Sequence, residues 1–282
     1  MKIKETAKLS PMNRLIYWIK ERESIRLKKE AGEPKPYTDD EILQRYRFCN
    51  VRRMDDKVSR WLYDNWYLPN YDHPSILVAA TLARQLNNIC SLASVGFPYK
   101  WNPKAVESVL NNRVKKGLKN FGSAYMITGT LGGTKIQQVV HKVVTPLVLN
   151  GPEIDRSSME NTATSLLPYA GFSHFIAGQV VADLRWAMKG SWLDRMTWAS
   201  IGPGSRRGIN ILLGRPMDQL MKQSEFTEYF LVVMEGLKRK LPSGITKRLE
   251  AHDYQNCLCE FFKYTKTLLG LGRPKQLYDG AL

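Results

Sequence analysis

The chain has 282 residues, 43% of them apolar, with a formal net charge of +16 and a sequence pI of about 9.7. That length buries a substantial core in one large domain or two small ones, and the apolar share excludes disorder over most of it. The basic surplus is spread along the chain with aromatics between, so it calls for an anionic partner, nucleic acid or anionic lipid, on a folded basic face. The start, MKIKETAKLS, lacks the apolar stretch of a signal peptide. No apolar run approaches the about 20 residues that span a bilayer, so a cytoplasmic protein without membrane contact is expected. Four scattered cysteines, Cys49, Cys90, Cys257 and Cys259, suit a reducing compartment. Cys257 and Cys259 have no second pair to complete a zinc site, and no four-cysteine run for an iron–sulfur cluster exists.

Taken in order, residues 11–31 read as a charged amphipathic helix with Leu15, Ile16, Trp18, Ile19 and Ile25 inward, stopped by Gly32 and Pro34. A second helix is expected after Thr38, with Thr38 as N-cap and Glu41 completing a capping box. Residues 45–56 then hold four arginines, Asn50, Asp55 and Asp56. Two readings stand there: an inter-helix salt-bridge network, or a loop whose Asn50, Arg52 and Arg53 touch substrate or phosphate, since a guanidinium binds two oxygens at once. Helices follow at 58–67 and from Ile76 to about Ala93, and another opens at Pro103 behind an Asn102 cap. The stretch after it carries Arg113, Lys115, Lys116 and Lys119 with Phe121 and Tyr125, basic and aromatic residues mixed as in a nucleic-acid-tracking surface. The glycines of 129–135 lack phosphate-loop spacing and read as a turn before a helix from Ile136 to Leu149. Short helices at 157–167 and 226–240 and a longer one within 246–271 complete a mainly α fold, without strand alternation or repeat. In the last helix His252, Asp253, Gln255, Asn256, Glu260 and Lys263 share part of one face.

The most site-like stretch is 166–215. A Pro/Gly turn leads into a helix, Asp194 follows among aromatics, and Gly202-Pro203-Gly204-Ser205-Arg206-Arg207-Gly208 forms a glycine-rich basic turn. Its first half, Leu167-Pro168 with Gly171, resembles the hairpin of helix-hairpin-helix DNA glycosylases. Ser173 stands at the second glycine, Phe175 at the lyase lysine and Asp194 near the catalytic aspartate. That likeness implies DNA contact through Gly171, Ser173 and His174, beside Lys115, Lys116 and Lys119.

A broader resemblance rests on four ordered motifs: 36–40 (PYTDD), 47–53 (RFCNVRR), 202–208 (GPGSRRG) and 258–261 (LCEF). Together they resemble the α-glutamyl/putrescinyl-thymine pyrophosphorylase family of bacteriophage DNA hypermodification enzymes, also called amino acid:DNA transferases. The resemblance implies a helix-hairpin-helix glycosylase-like helical architecture over residues 1–282, as one catalytic domain or two lobes with a cleft. It also implies action in the cytoplasm of an infected bacterium. The expected reaction displaces pyrophosphate from pyrophosphorylated 5-hydroxymethyluracil in double-stranded DNA with the amine of an amino acid or polyamine. No cofactor is required, and a Mg2+ ion accompanying pyrophosphate is compatible with the sequence, which shows no metal cluster of its own.

That chemistry sets three demands. Cations and backbone amides must stabilise the leaving pyrophosphate, expected from Gly204, Ser205, Arg206 and Arg207. A carboxylate must take the proton of the attacking amine: Asp194 first, with Asp55, Asp253 and Glu260 as alternatives. An amino acid's own carboxylate needs a cation, Arg52, Arg53 or Lys263, with Asn50 and Gln255 nearby. The target base must be flipped and stacked, with Trp192, Trp198 or Tyr169 as platforms. A base-excising glycosylase and a non-catalytic DNA-binding protein are the competing readings.

Overall fold

The computed structural model describes residues 3–122 and 131–278. It divides into two compact units: one built from the chain up to Asp56 and again from Ile201, the other from Lys57 to Ser200. Among the described residues the regular elements are helical, and pairing between extended segments is limited to a bridge between Tyr46 and Leu277. The second unit is thus one continuous stretch set between the two halves of the first.

The first half of unit 1 holds α1 (Ile3–Lys8), α2 (Pro11–Glu30) and α3 (Glu41–Arg45). Ser10 caps α2 and Pro11 fills its first turn, where a missing N–H costs nothing. Its buried stripe is Leu15, Trp18, Ile19 and Ile25. α3 is capped differently from the sequence expectation. Asp40, not Thr38, accepts the amides of Ile42 and Leu43, while Thr38 accepts the Asp40 amide and donates its hydroxyl to Glu21. The second oxygen of Asp40 receives the hydroxyls of Tyr17 and Tyr264, so a buried acid ties both halves of unit 1 together. Phe48 wedges between Trp18 and Tyr264, its ring 6.2 Å from each.

Unit 2 begins with α4 (Lys57–Leu62), which widens into a π-helical turn over Tyr63–Tyr67. The helix expected from Ile76 to Ala93 is two: α5 (Ile76–Leu86) and α6 (Ile89–Val95), broken where Asn87 turns left-handed at φ 44° and Asn88 caps anew. α7 (Pro103–Lys115) starts on its Asn102 cap as the sequence suggests. α8 (Lys135–Gln137) runs through a π-helical stretch, Gln138–Val144, into α9 (Thr145–Asn150). α10 (Met159–Leu166) and α11 (His174–Ala187) pack on each other as a helical hairpin. α5 and α11 are the centre of this unit, buried over most of their lengths. A salt bridge crosses between them: Arg84 meets Asp183 at 2.5 Å, and Tyr67 donates to the same carboxylate at 2.7 Å. Together these partners satisfy charges that would otherwise be very costly in a dry core.

The chain returns to unit 1 with α12 (Pro203–Leu212), α13 (Gln223–Lys240), α14 (Ser243–Thr246) and α15 (Ala251–Leu268). α12 and α15 form the most extensive helix pair of the molecule. Among the described residues no helix is long and apolar enough to cross a membrane, and no group of His, Cys, Asp and Glu side chains is placed to hold a metal ion.

Candidate functional site

Unit 1 brings three of the sequence motifs against α15, which carries the fourth. α15 presents Asp253, Asn256, Glu260 and Lys263 at steps of three and four residues, which is one helical face. The segment 46–52 lies extended along that face and closes in a 3-10 turn at Arg53–Asp55. Cys49 N–H donates to Glu260 Oε2 at 2.9 Å, Asn256 Nδ2 reaches Asn50 O at 3.3 Å, and Arg53 N–H donates to Asp253 Oδ1 at 2.8 Å. An extended strand cannot satisfy its own backbone, so polar side chains on the helix do it. Asp253 also accepts the Glu250 amide at the start of α15, which fixes its rotamer.

Beneath this face sits a compact polar cluster. Arg22 of α2 donates to Cys49 O at 3.1 Å and to Asn50 Oδ1 at 2.6 Å, and its Nη1 is buried without a hydrogen-bond partner among the described residues. Asn50 N–H donates to Asp56 Oδ1 at 2.9 Å. Lys263 Nζ lies 2.6 Å from Glu260 Oε2 and 4.6 Å from the centre of the Phe48 ring. Burial pushes the Asp56 carboxyl up to about 6, against the pull of the Asn50 amide and the Arg22 charge. Burial draws Lys263 down, but Glu260 and Cys49 outweigh it and the ammonium stands above its ordinary value. Burial also pushes the Cys259 thiol up to about 12, so it is no nucleophile at neutral pH. Two carboxylates, two cations and an amide, one acid poised near neutrality, are equipment for moving a proton and holding an anion.

Arg22 and Asp56 escape the sequence reading. A signal for Arg22 exists: it falls on the inward side of α2, between Ile19 and Ile25, where a charged residue has to find partners. Asp55, expected in the site instead of its neighbour, has a different fate. Its buried carboxylate meets Arg248 at 3.1 Å, Arg26 at 3.4 Å and Arg52 at 3.7 Å, while Glu23 pairs with Arg26 at 2.5 Å and Arg248 at 3.2 Å. This is the salt-bridge network that the sequence offers as an alternative for 45–56, and it commits Asp55 and Arg52 to structure.

The motif 202–208 is not a turn that cradles an anion. From Pro203 on it is the first part of α12, and its glycines serve helix packing. A Cβ on Gly204 would lie 2.2 Å from Cys259 Sγ, and one on Gly208 2.5 Å from the Leu258 carbonyl oxygen. Ser205 is buried, accepting from Gly202 N–H and from Gln255 Nε2, both at 3.0 Å. Arg207 is paired with Asp218 at 2.6 Å and stands 5.3 Å over the Phe262 ring. Arg206 keeps a buried Nε without a hydrogen-bond partner among the described residues.

Asp194 lies in unit 2, whereas α12, close behind it in sequence, belongs to unit 1. Its carboxylate accepts from Met159 N at 2.8 Å and from Ser158 Oγ and Glu160 N at 2.9 Å, covering the open amides at the start of α10. Trp192 and Trp198 are buried core residues, which removes them as stacking platforms, and Tyr169 is turned to donate to the Asn150 carbonyl. Between α10 and α11, Gly171 adopts φ 82°, Ser173 caps α11 by accepting from Ile176 N–H, and His174 opens it at the surface. Lys115, Lys116 and Lys119 are exposed. Tyr125, Gly129 and Thr130 lie outside the described residues.

The chain, helical through most of its described residues, is a member of the family described as "5-hmdU DNA kinase, helical domain", which matches residues 10–270. Among curated proteins, the 5-hmdU DNA kinase of Bacillus phage SP10 is 23% identical over 265 residues, covering 83% of this chain and 41% of that protein. The chain therefore spans about two fifths of the length of this relative. No solved structure matches. The nucleoside in the family's description is the one that the sequence resemblance implied.

Proposed function

We propose that this protein acts on 5-hydroxymethyluracil in phage DNA, with the cluster of Arg22, Asn50, Asp56, Glu260 and Lys263 as its reaction centre. One observation carries the reading: the motifs at 47–53 and 258–261, some two hundred residues apart in sequence, meet around a carboxyl group raised to about 6. The reaction is transfer of an amine from an amino acid or polyamine. The amine nitrogen bonds to the 5-methylene carbon of pyrophosphorylated 5-hydroxymethyluracil. The carbon–oxygen bond to pyrophosphate breaks, and pyrophosphate leaves with the electron pair.

Each residue has a task in this scheme. Asp56 takes the proton of the attacking ammonium; an acid titrating near 6 is matched to a base's work at neutral pH. Arg22, with its unpartnered Nη1, and Arg206, with its unpartnered Nε, neutralise the departing anion or an amino acid's carboxylate. Glu260 and Asn50 hold Lys263 and Arg22 in place. Asp194 keeps its capping role, and Gly171, Ser173 and His174 contact the DNA backbone. A second reading, phosphorylation of the hydroxymethyl group, is favoured by the name of the curated relative.

The test is incubation with DNA carrying pyrophosphorylated 5-hydroxymethyluracil and mixed amino acids and polyamines, then digestion to nucleosides and mass spectrometry. An aminated thymidine supports transfer, whereas free base or unchanged nucleoside overturns it. A parallel reaction with unphosphorylated 5-hydroxymethyluracil and ATP reads out the second activity as a phosphate ester.

A further inference from the structure

Unit 2 carries its charge in one place. Between residues 95 and 145 the sequence has eight lysines and arginines against a single acid, Glu107. The rest of 57–200 has seven basic and seven acidic residues, so this stretch accounts for the unit's whole surplus. Structure gathers it further. α7 packs against α8 and the π-helical segment behind it, and Glu107 bonds His141 Nε2 at 2.7 Å, tying the two elements side by side. The lone acid is thereby committed to a neighbour within the patch.

Six lysines on these elements and on the turn that follows α7, Lys104, Lys115, Lys116, Lys119, Lys135 and Lys142, are exposed and have no carboxylate partner among the described residues. Arg113 differs: its guanidinium is used internally, on Ser94 Oγ, Asn120 Oδ1 and the Lys119 carbonyl, and so shapes the turn that displays Lys115 to Lys119. Like charges held together by the fold repel one another, and a polyanion relieves that repulsion. α7 alone has 13 residues, about 20 Å at 1.5 Å per residue. Duplex DNA presents one phosphate charge per about 1.7 Å of axis, so Lys104 and Lys115, near the two ends of α7, are spaced to meet different phosphates.

We propose that α7, the turn after it with Lys116 and Lys119, and the α8 to π-helix segment form a sequence-independent docking face for the DNA phosphate backbone, distinct from the reaction centre of unit 1. It binds unmodified duplex as well as modified duplex, because it reads phosphate and not base. Lysines on flexible stems suit this, being compact point charges that meet phosphate oxygens from many directions.

The test is fluorescence anisotropy with an unmodified duplex across a salt series, on the full chain. Lys115→Ala/Lys116→Ala/Lys119→Ala is expected to weaken binding about tenfold or more. It should also flatten the slope of log affinity against log salt by about 2 to 3, near 0.9 for each phosphate that is no longer neutralised. Lys104→Ala/Lys135→Ala/Lys142→Ala, on other surface positions, should act in the same direction. Lys240→Ala, at the exposed end of α13 in unit 1 and outside both the patch and the reaction centre, should leave unmodified-duplex affinity unchanged. Unaltered affinity and slope in both triple variants, with their thermal melts intact, or no wild-type binding to unmodified duplex, overturns the proposal. Because no modified base enters the assay, its failure is separable from failure of the amine-transfer reading.

Discussion

At the scale of single residues, Asp56 carries the most specific expectation. Its carboxyl titrates near 6 in the folded chain against an ordinary 3.8, because burial disfavours the charged form. Between about pH 4 and pH 6 the folded state holds a proton that the unfolded state has lost. The contribution of this group to stability is therefore largest at low pH, falls as pH rises through that window and is flat above it. Asp56→Asn keeps the bond from the Asn50 amide and removes the titration. Urea unfolding should show the variant gaining on the wild type as pH rises from about 4.5 to about 7, a range that covers most of this window; an equal difference at both ends would contradict the assignment. Asp194 gives the opposite kind of prediction. Its oxygens cover the first amides of α10, so Asp194→Ala should lower stability by about 1 kcal/mol, as lost caps do, while modification of DNA proceeds. Lost modification in a folded Asp194→Asn protein would return this residue to the chemistry.

At the scale of elements, α12 and α15 meet through glycine. Gly204→Ala adds a methyl 2.2 Å from Cys259 Sγ and should destabilise by about 1–3 kcal/mol, the usual cost of overpacking. Gly236, inside α13, is the control. Its Cβ would find its nearest neighbour, Met12 Cε, at 3.7 Å, so Gly236→Ala should stabilise by up to about 1 kcal/mol through helix propensity. Thermal unfolding of both variants decides it, and equal shifts would mean that the glycines of α12 are not packing residues.

These helices also show what a sequence discloses. The polar face of α15 and the cap of α7 are legible because both depend on spacing within one helix. The role of 202–208 is not. Glycine beside arginine reads alike whether the missing side chain makes room for an anion or for another helix, and only the partner, α15, distinguishes them. Likewise Asp55 and Asp56 are adjacent and identical in type. Which one meets three guanidinium groups and which is desolvated beside Asn50 is set by α2 and Arg248, far away along the chain. Trp192 and Trp198 fail as stacking candidates for a related reason: an aromatic near a glycine-rich turn is buried or exposed according to the core it faces.

At the scale of the molecule, the proposed reaction centre and the proposed docking face fall in different units. Unit 1 gathers titratable groups of perturbed acidity from both ends of the chain, and unit 2 closes a core of its own around α5 and α11 and carries a lysine-rich face. A catalyst for DNA needs both, since phosphate contacts supply position and the reaction centre supplies chemistry. The family to which the chain belongs is described as a helical domain, which agrees with the helices of both units. The decisive measurement is the mass spectrum of nucleosides from pyrophosphorylated 5-hydroxymethyluracil DNA treated with wild-type and Asp56→Asn protein in the presence of amines. The wild type should yield an aminated thymidine with release of pyrophosphate, and the variant at least about 100-fold less of it, the lower range for loss of a general base. Equal yields from the two proteins, or no aminated nucleoside from either, would contradict the assignment of this reaction to the unit 1 cluster.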